Sequence, residues 1–264
     1  MAELATFEAL AVRYGTRTTM RSEVFLHHHL YGETDSPIGM DYYFWVVRNE
    51  RRTIVVDCGF NERSGGARGR TMLCPPPEAM RALGIDPAEV THVVVTHAHY
   101  DHIGNLDAFP TARIVIAAEE LAFWTGPYAG KRLFAHSAEA DDIAVLRRLV
   151  SEDRVDQVRG HTQLVPGVDL IEVGGHTPGQ LVVCVRCKDS LVVVASDALH
   201  YYEELDLERP FAHVADLPAM YAGFDLLREL TAAPGRLLVA GHDPEVMHRF
   251  VPVAGYESLA VRIA

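Results

Sequence analysis

The six residues from His97 to His102 read His-Ala-His-Tyr-Asp-His and follow the apolar run Val93-Val94-Val95 and a threonine. The apolar run predicts a buried strand, so three imidazoles and one carboxylate lie on the loop that leaves a rigid strand end. Neutral imidazoles and carboxylates are the ligands that borderline divalent metals, zinc above all, prefer. Because Asp101 and His102 are adjacent, one tetrahedral ion could hardly take all four groups. The segment therefore predicts two neighbouring metal ions.

Three more candidate ligands, His176, Asp197 and His242, each come at the end of a strand-like run. A glycine beside each of the two histidines lets the backbone turn sharply and approach a bound ion closely. Taken singly, each of the three could equally be a core or turn residue. Four strand ends that all offer histidine or aspartate at the same kind of position favour one shared site.

Length and charge limit the classes of function. At 264 residues, with no segment typical of a linker, we expect residues 1–264 to form a single domain. The net charge of −12 and the lack of a basic run predict no nucleic-acid partner, because such a surface repels phosphate backbones. No run approaches about 18 apolar residues, so no membrane span is expected.

The expected location is the cytoplasm. The first residues lack a basic segment followed by a continuous apolar one, so no secretory signal is predicted. The four cysteines show no second pair of matching spacing for a zinc knuckle, and Cys184 and Cys187 lie in a strand-like run. They are interpreted as structural or incidental thiols of a reducing compartment.

Apolar periodicity and turn residues predict the regular elements. The predicted strands are 4–12, 23–30, 42–48, 53–57, 91–95, 114–117, 168–173, 180–186, 190–195 and 236–240. The predicted helices are 78–83, 118–124, 138–150 and 216–230. Two β-rich halves, each closing with helices and a last strand, predict two sheets packed face to face with helices on their outer sides.

The ordered set of His97, His99, Asp101 and His102, followed by His176, Asp197 and His242, resembles the metallo-β-lactamase superfamily. The match extends to Asp57-Cys58-Gly59, where that family commonly shows an Asp-Thr-Gly turn, and covers roughly residues 40 to 250. The resemblance implies an α/β fold, the four-layered αβ/βα sandwich, with two mixed β-sheets flanked by helices and a dinuclear site at their edge.

The resemblance also implies two Zn²⁺ ions, with Mn, Fe or Co as other divalent candidates. The ligands of one ion would be His97, His99 and His176. Those of the other would be Asp101, His102 and His242, and Asp197 would bridge the pair. Asp57 would hydrogen-bond a ligand imidazole and fix its tautomer.

Within the superfamily the chain most resembles the quorum-quenching N-acyl-homoserine lactone lactonases. Three phrases carry this likeness: Gly241-His242-Asp243, Ser196-Asp197-Ala198 and Arg209-Pro210-Phe211-Ala212. The implied reaction is the opening of a lactone ring by a metal-bridging hydroxide, because two divalent ions lower the pKa of a shared water to about 7. Asp101 would orient that hydroxide and later donate a proton to the leaving group.

One position departs from the lactonase pattern. These enzymes usually place a tyrosine three residues after the bridging aspartate, where its hydroxyl helps to polarise the lactone carbonyl. Here His200 occupies that position, followed by Tyr201 and Tyr202. Either His200 takes the donor role, or Tyr201 reaches in from a shifted loop, or the substrate differs.

Alternative functions follow from the same residues. A carboxylic ester or thioester hydrolase of this fold would share the ligands, and a non-catalytic metal-binding module is the alternative of another class. The expected partner is a small-molecule lactone or ester, and the chain could be a monomer or a homodimer. Phe123, Trp124, Tyr128 and Phe134 lie in a segment interrupted by Gly and Pro, and they could line a pocket or belong to the core.

Overall fold

The alternation of side chains along strand β2 (Pro37–Asn49) shows how the layers of the molecule are built. Tyr43 and Trp45 point to one face and pack in a core shared with a second sheet. Phe44 and Val46 point to the opposite face and pack under helices. Because successive side chains of a strand alternate between faces, the apolar run from Tyr42 to Val47 is buried on both sides of the sheet. The structure, a computed structural model, describes residues 6–264.

The first sheet is mixed and contains nine strands. They are β1 (Glu8–Met20), β2, β3 (Arg52–Val56), β4 (Thr71–Met72), β5 (His92–Val95), β6 (Arg113–Ala117), β7 (Val155–Val158), β13 (Val251–Pro252) and β14 (Ala260–Arg262). Their order is β13-β14-β1-β2-β3-β5-β6-β7, with β4 paired to β1. Strands β3, β5, β6 and β7 run parallel, and Val94 lies opposite Val115.

The second sheet is also mixed and has five strands. They are β8 (His161–Val165), β9 (Val168–Glu172), β10 (Leu181–Arg186), β11 (Leu191–Ser196) and β12 (Arg236–Ala240). Their order is β12-β11-β10-β9-β8. Only β11 and β12 are parallel, so the carboxyl ends of these two strands lie at the same edge.

Helices cover the outer faces of both sheets. They are α1 (Arg21–Val24), α2 (Glu62–Ala67), α3 (Pro76–Ala82), α4 (Tyr100–Ile103), α5 (Ala118–Thr125), α6 (Arg132–Ala135), α7 (Ala140–Ser151), α8 (Tyr202–Leu207), α9 (Leu217–Thr231) and α10 (Val246–Arg249). Short 3₁₀ turns occur at His28–Tyr31, Pro87–Glu89 and Leu106–Ala108. Helices α3, α5 and α7 pack on the first sheet, and α9 packs on the second.

None of the helices within residues 6–264 has the length and apolar character needed to span a lipid bilayer.

The predicted face-to-face sheets with outer helices are confirmed. The predicted strand at 23–30 is wrong, because this segment forms α1 and then the 3₁₀ turn at His28–Tyr31. His27 has a φ of +52°, which breaks an extended conformation. The apolar residues here are buried because the segment is bonded to another loop: Ala212 N donates to Val24 O at 2.7 Å.

The polar pattern of two further strands explains why the sequence did not reveal them. Strands β7 and β8 have several exposed or half-exposed positions and lie at the ends of their sheets. The predicted strand at 4–12 corresponds to β1, which continues to Met20, whereas residues 4 and 5 lie outside the described residues. Edge strands need fewer apolar residues, because one or both of their faces stay accessible to water.

Asp142, in the first turn of α7, makes a testable contribution to stability. Burial and then the neighbouring Glu139 carboxylate raise its pKa to about 7. This pKa lies above that of the unfolded chain, so stability falls as the pH rises from about 4 to about 7. We expect Asp142→Asn to raise the Tm at pH 8 by about 2–4 °C, or ~1 kcal/mol after solvent screening, with a smaller gain at pH 5.

Thermal unfolding followed by circular dichroism at the two pH values measures this effect. Asp141→Asn is the matched control, because Asp141 is exposed and paired with Arg63, and it should bring no gain at pH 8. An Asp142→Asn protein that is less stable than the parent at pH 8 would contradict the account.

Candidate metal centre

The seven predicted ligands converge because strand ends meet at one edge of the two packed sheets. Strands β3 and β5 are parallel neighbours, and so are β11 and β12. The carboxyl ends of β5, β11 and β12 are followed by His97, Asp197 and His242. His176 lies in the turn between β9 and β10, and all of these side chains are buried. Sequence spacing thus predicted correctly which residues the fold brings together.

The ligand atoms form two groups that could each hold a metal ion. Within each group these atoms lie within 4.8 Å of one another. The first group is His97, His99, His176 and Asp197. The second group is Asp101, His102 and His242. This division is the one that the family resemblance implied.

Asp197 lies between the two groups and directs one oxygen at each. Its Oδ2 is 3.6 Å from His97 Nε2 and 3.4 Å from His176 Nε2. Its Oδ1 is 3.4 Å from His102 Nε2 and 3.1 Å from His242 Nε2. A carboxylate in this position can bridge two cations, one through each oxygen.

The buried Asp57 carboxylate fixes the orientation of two ligand imidazoles. Its Oδ2 accepts a hydrogen bond from His102 Nδ1 at 2.8 Å, a contact of the kind that the family resemblance implied. The same oxygen accepts from Thr96 Oγ1 at 2.7 Å, and that hydroxyl lies 3.2 Å from His97 Nδ1. Both rings then keep a proton on Nδ1, which leaves the Nε2 lone pair for a metal.

Backbone carbonyls orient two more imidazoles in the same way. His242 Nδ1 donates to Asp41 O at 2.8 Å, and His176 Nδ1 donates to His213 O at 2.7 Å. Each ring therefore directs the lone pair of its Nε2 at the ligand groups. His99 is the exception, since it presents Nδ1, which lies 3.0 Å from His176 Nε2.

The charges around the rings fit bound cations. Burial lowers the pKa of His97 and His176 well below its usual range, and that of His99 to about 3, so these rings are neutral. Lone pairs of three neutral rings at this separation repel one another unless a cation lies among them. His102 Nε2 and Asp197 Oδ1 are buried without a hydrogen-bond partner in the described part of the chain. Unpaired buried polar atoms are costly, and metal coordination satisfies them.

Glu120 is a central residue that the sequence analysis did not identify. It is fully buried at the start of α5, and burial raises its pKa. Its Oε1 accepts from Ala98 N at 2.8 Å and from Trp124 Nε1 at 2.7 Å. Its Oε2 accepts from Gly179 N at 2.9 Å. One carboxylate thus holds the loop of His97 and His99 against the loop of His176.

The Asp197 carboxylate lies against the backbone of Gly241. A Cβ here would lie 2.6 Å from Ser196 O and 2.9 Å from Asp197 Oδ1. Neither atom can move without displacing the buried bridge, so this position tolerates no side chain. Ser196 itself has a φ of +47°, a left-handed conformation that costs of order 1–3 kcal/mol in a non-glycine residue. The left-handed backbone of Ser196 and the close approach of Gly241 therefore position Asp197 from both sides.

His200 lies at the centre, next to the ligand groups. Its Nε2 is 3.0 Å from Asp197 Oδ2, and its ring stacks on Phe211 with centroids 3.7 Å apart. Glu204 Oε1 accepts from the backbone N of His200 at 2.9 Å. The phrase Arg209-Pro210-Phe211-Ala212 thus supplies the ring that supports His200.

Tyr201 lies away from the reacting region. Its hydroxyl donates to Gly39 O at 3.0 Å, and its ring packs on Phe25. The expectation that Tyr201 reaches in from a shifted loop is not met, because Glu204 holds the backbone N of both His200 and Tyr201 and fixes which ring points inward. Tyr202 is also directed elsewhere and donates to Leu238 O at 3.1 Å.

A cleft with about 60 Å³ of space accessible to water opens over the ligand groups. His99, Asp101, His200 and His242 lie in its wall. An adjoining apolar cavity shares His99 and His176 with this cleft and is lined by aromatic rings of the segment that the sequence analysis singled out. Those rings are Phe123, Trp124 and Phe134, whereas Tyr128 is exposed.

Glutamine has nearly the same shape as glutamate, so we expect Glu120→Gln to weaken the hydrogen bonds that join the two ligand loops without changing the packing. A glutamine has one acceptor oxygen, so one buried N–H of Ala98, Trp124 or Gly179 loses its partner. The free energy of unfolding should fall by about 1–3 kcal/mol, as measured by denaturant titration. Glu119→Gln, on the exposed face of the same turn, is the control and should change stability by less than about 0.5 kcal/mol. Equal stability of the Glu120→Gln protein and the parent would contradict the claim that the Glu120 carboxylate holds the two ligand loops together.

Comparison with known proteins agrees with this geometry. The model of the metallo-beta-lactamase superfamily matches residues 39–242. An N-acyl homoserine lactonase of Bacillus sp is 26% identical over 167 residues, which make up 63% of this chain and 61% of that relative. The chain therefore aligns with less than two thirds of the length of this curated relative.

Solved structures show the same fold at lower identity. A quorum-quenching N-acyl homoserine lactone lactonase superposes with a TM-score of 0.77 at 21% identity, over 92% of this chain and 95% of that one. AidC, a dizinc quorum-quenching lactonase in complex with a product, superposes with a TM-score of 0.70 at 20% identity, over 92% and 89% of the two chains. With most of its length matched by the family model and its ligand groups at the expected sheet edge, the chain belongs to the metallo-beta-lactamase superfamily.

Proposed function

We propose that this protein is a metal-dependent hydrolase that opens a lactone ring, with two zinc ions as its cofactors. The observation that carries the proposal is the position of Asp197, whose two oxygens are divided between two groups of ligand atoms. The curated relative is an N-acyl homoserine lactonase, and AidC is a dizinc lactonase, which supports both the substrate class and the metal. Imidazole and carboxylate ligands with room for water are typical of catalytic rather than structural zinc.

Two divalent cations bound here would lower the pKa of a shared water to about 7 and polarise the substrate carbonyl. The chain's own residues hold the reacting groups in place. Asp101 Oδ1 is 3.9 Å from His102 Nε2, and its Oδ2 is 3.9 Å from His242 Nε2. Asp101 thus has an oxygen beside the second ligand group and is the proposed base that orients the attacking water and then protonates the leaving oxygen.

Tyr14 fixes the backbone of Asp101 through a hydrogen bond. The Tyr14 hydroxyl donates to Asp101 O at 2.8 Å and accepts from Phe60 N at 3.1 Å. Because Tyr14 is fully buried, this contact fixes the backbone of Asp101 and so the position of the Asp101 carboxylate in the cleft. General acid–base catalysis depends on such positioning, since the proton must travel between atoms at hydrogen-bond distance.

His200 is the proposed hydrogen-bond donor to the substrate carbonyl, in place of the tyrosine of the lactonases. Its ring is held between Phe211 and the carboxylates of Asp197 and Glu204. His200 also lies in the wall of the cleft, and its Nε2 is the ring nitrogen next to Asp197 and the ligand groups. This substitution also favours hydrolysis of a carboxylic ester or thioester as a second candidate function, because the donor differs from that of the lactonases.

The adjoining apolar cavity is the proposed site for an acyl chain or another apolar substituent. It opens beside His99 and is lined by Phe123, Trp124 and Phe134. The Trp124 indole is fixed by its bond to Glu120, so this wall is rigid. Rigid aromatic walls bind apolar groups at a small cost in conformational entropy.

Ring opening releases a proton, so a pH-indicator assay of zinc-loaded protein over γ-lactones, aryl esters and thioesters tests the proposal. We expect lactones to give the highest kcat/KM, and Asp101→Asn to lower kcat by about 10²–10⁴-fold because it removes the base. Asp107→Asn is the matched control, since Asp107 is exposed and pairs only with Arg148 on the surface. Turnover of esters but not lactones would favour the second candidate, and full activity of Asp101→Asn would refute the assigned role.

A further inference from the structure

Three arginines line the cleft above the candidate metal centre, although the chain has a net charge of −12. They are Arg17 on β1, Arg68 after α2 and Arg70 before β4. Cationic side chains are unexpected beside a site that already attracts metal cations. What each guanidinium bonds to therefore decides what it can do.

Arg68 is occupied by the protein itself. It forms an ion pair with Glu139 and donates to Ser64 O at 3.2 Å and to His136 O at 3.1 Å. Its guanidinium also lies over the ring of Tyr100, 4.2 Å from the centroid. The charge of Arg68 is thus neutralised, and its role is to hold the cleft wall.

Arg70 is held in place but keeps its charge. Its Nε donates to the Tyr100 hydroxyl at 3.1 Å, and its Nη1 donates to Arg68 O at 2.7 Å. Among residues 6–264, no carboxylate lies within 4.0 Å of it, and its Nη2 has no acceptor. Two neutral partners therefore orient a half-buried cation whose remaining edge is open to the cleft.

Arg17 is similar. Its Nε donates to the Met40 sulfur at 3.2 Å, a weak acceptor, and no carboxylate of the described chain lies within 4.0 Å. The side chain is half-buried, so its charge is partly shielded from water. Arg17 thus differs from an arginine such as Arg63, whose guanidinium forms an ion pair with Asp141. Arg17 and Arg70 line the cleft and also a neighbouring groove, which Met20 and Gly69 line as well. The two arginines therefore lie at the mouth of the cleft.

We propose that Arg17 and Arg70 form an anion-binding subsite, and that the substrate of this hydrolase is a lactone or ester that carries a carboxylate. The inference rests on the proposed function, since it names the substrate class of the same cleft. A planar guanidinium pairs with a carboxylate through two parallel hydrogen bonds, and partial burial strengthens the pair. The apolar cavity lies on the His99 and His176 side and the arginines on the side of Met40 and Tyr100, so the cleft recognises two unlike substituents.

Two matched substrates test the subsite: a γ-butyrolactone with a carboxylate on its γ-carbon, and the same lactone with an N-methylamide there. We expect the zinc-loaded protein to show a kcat/KM at least about tenfold higher for the carboxylate. This ratio should fall toward one in Arg17→Met and in Arg70→Met, and should be partly retained in Arg17→Lys. It should also fall with added salt, since screening weakens ion pairs.

Arg51→Met is the matched control, because it removes an equal charge from an exposed turn at the far end of β3. It should retain the full ratio. Circular dichroism melting and zinc content establish that each variant is folded and loaded. A ratio near one in the parent protein, or a ratio that both arginine variants retain, would overturn the subsite.

A binding measurement separates failure of the subsite from failure of the proposed function. If the parent opens neither lactone and turns over no substrate of the pH-indicator assay, the hydrolase proposal fails, and calorimetry with glutarate then decides the subsite alone. Binding that weakens at least about tenfold in Arg17→Met and Arg70→Met but not in Arg51→Met would support it. Equal binding by all four proteins would refute it.

Discussion

The carboxylate of Asp197 is buried among five imidazole rings, and the arrangement of the centre depends on this one charge. One oxygen faces His97, His176 and His200, and the other faces His102 and His242. An isolated carboxylate in such a place would be costly to bury, because it loses its hydration. Cations bound on either side would offset that cost, and the rings of His97, His102, His176 and His242 direct their Nε2 lone pairs toward this carboxylate.

The fold serves this arrangement by bringing strand ends together and by accepting local strain. Ser196 and Asp57 both have left-handed backbones, and Gly241 allows the backbone of β12 to touch that of β11. Glu120 joins the loops on either side. Strain of this kind persists only where neighbouring contacts over-determine the conformation, as they do at the edge of two packed sheets.

The ligands could be predicted from the sequence because each one follows a strand-like run and is a metal-binding residue type. Glu120, Tyr14 and the arginine pair could not, since each acts through a contact with a distant part of the chain and has no local motif. The wrong strand at 23–30 has the same cause: its apolar residues are buried against Ala212 and its neighbours rather than by a sheet ladder. Periodicity reports burial, but it does not report what covers the buried face.

The choice between His200 and Tyr201 also lay beyond the sequence. Both are adjacent polar rings, and only the bonds from Glu204 to their backbone determine which one points inward. His200 then completes a cleft whose two sides differ, with aromatic rings on one side and unpaired guanidinium groups on the other. Under the proposed function, these two sides would select a substrate by its substituents.

The central claim is that two cations share Asp197, and anomalous diffraction from crystals grown with zinc tests it most directly. Data collected on either side of the zinc absorption edge should show two peaks per chain, about 3.5–4 Å apart, one against each oxygen of Asp197. A single peak, or two peaks that do not both touch Asp197, would contradict the account.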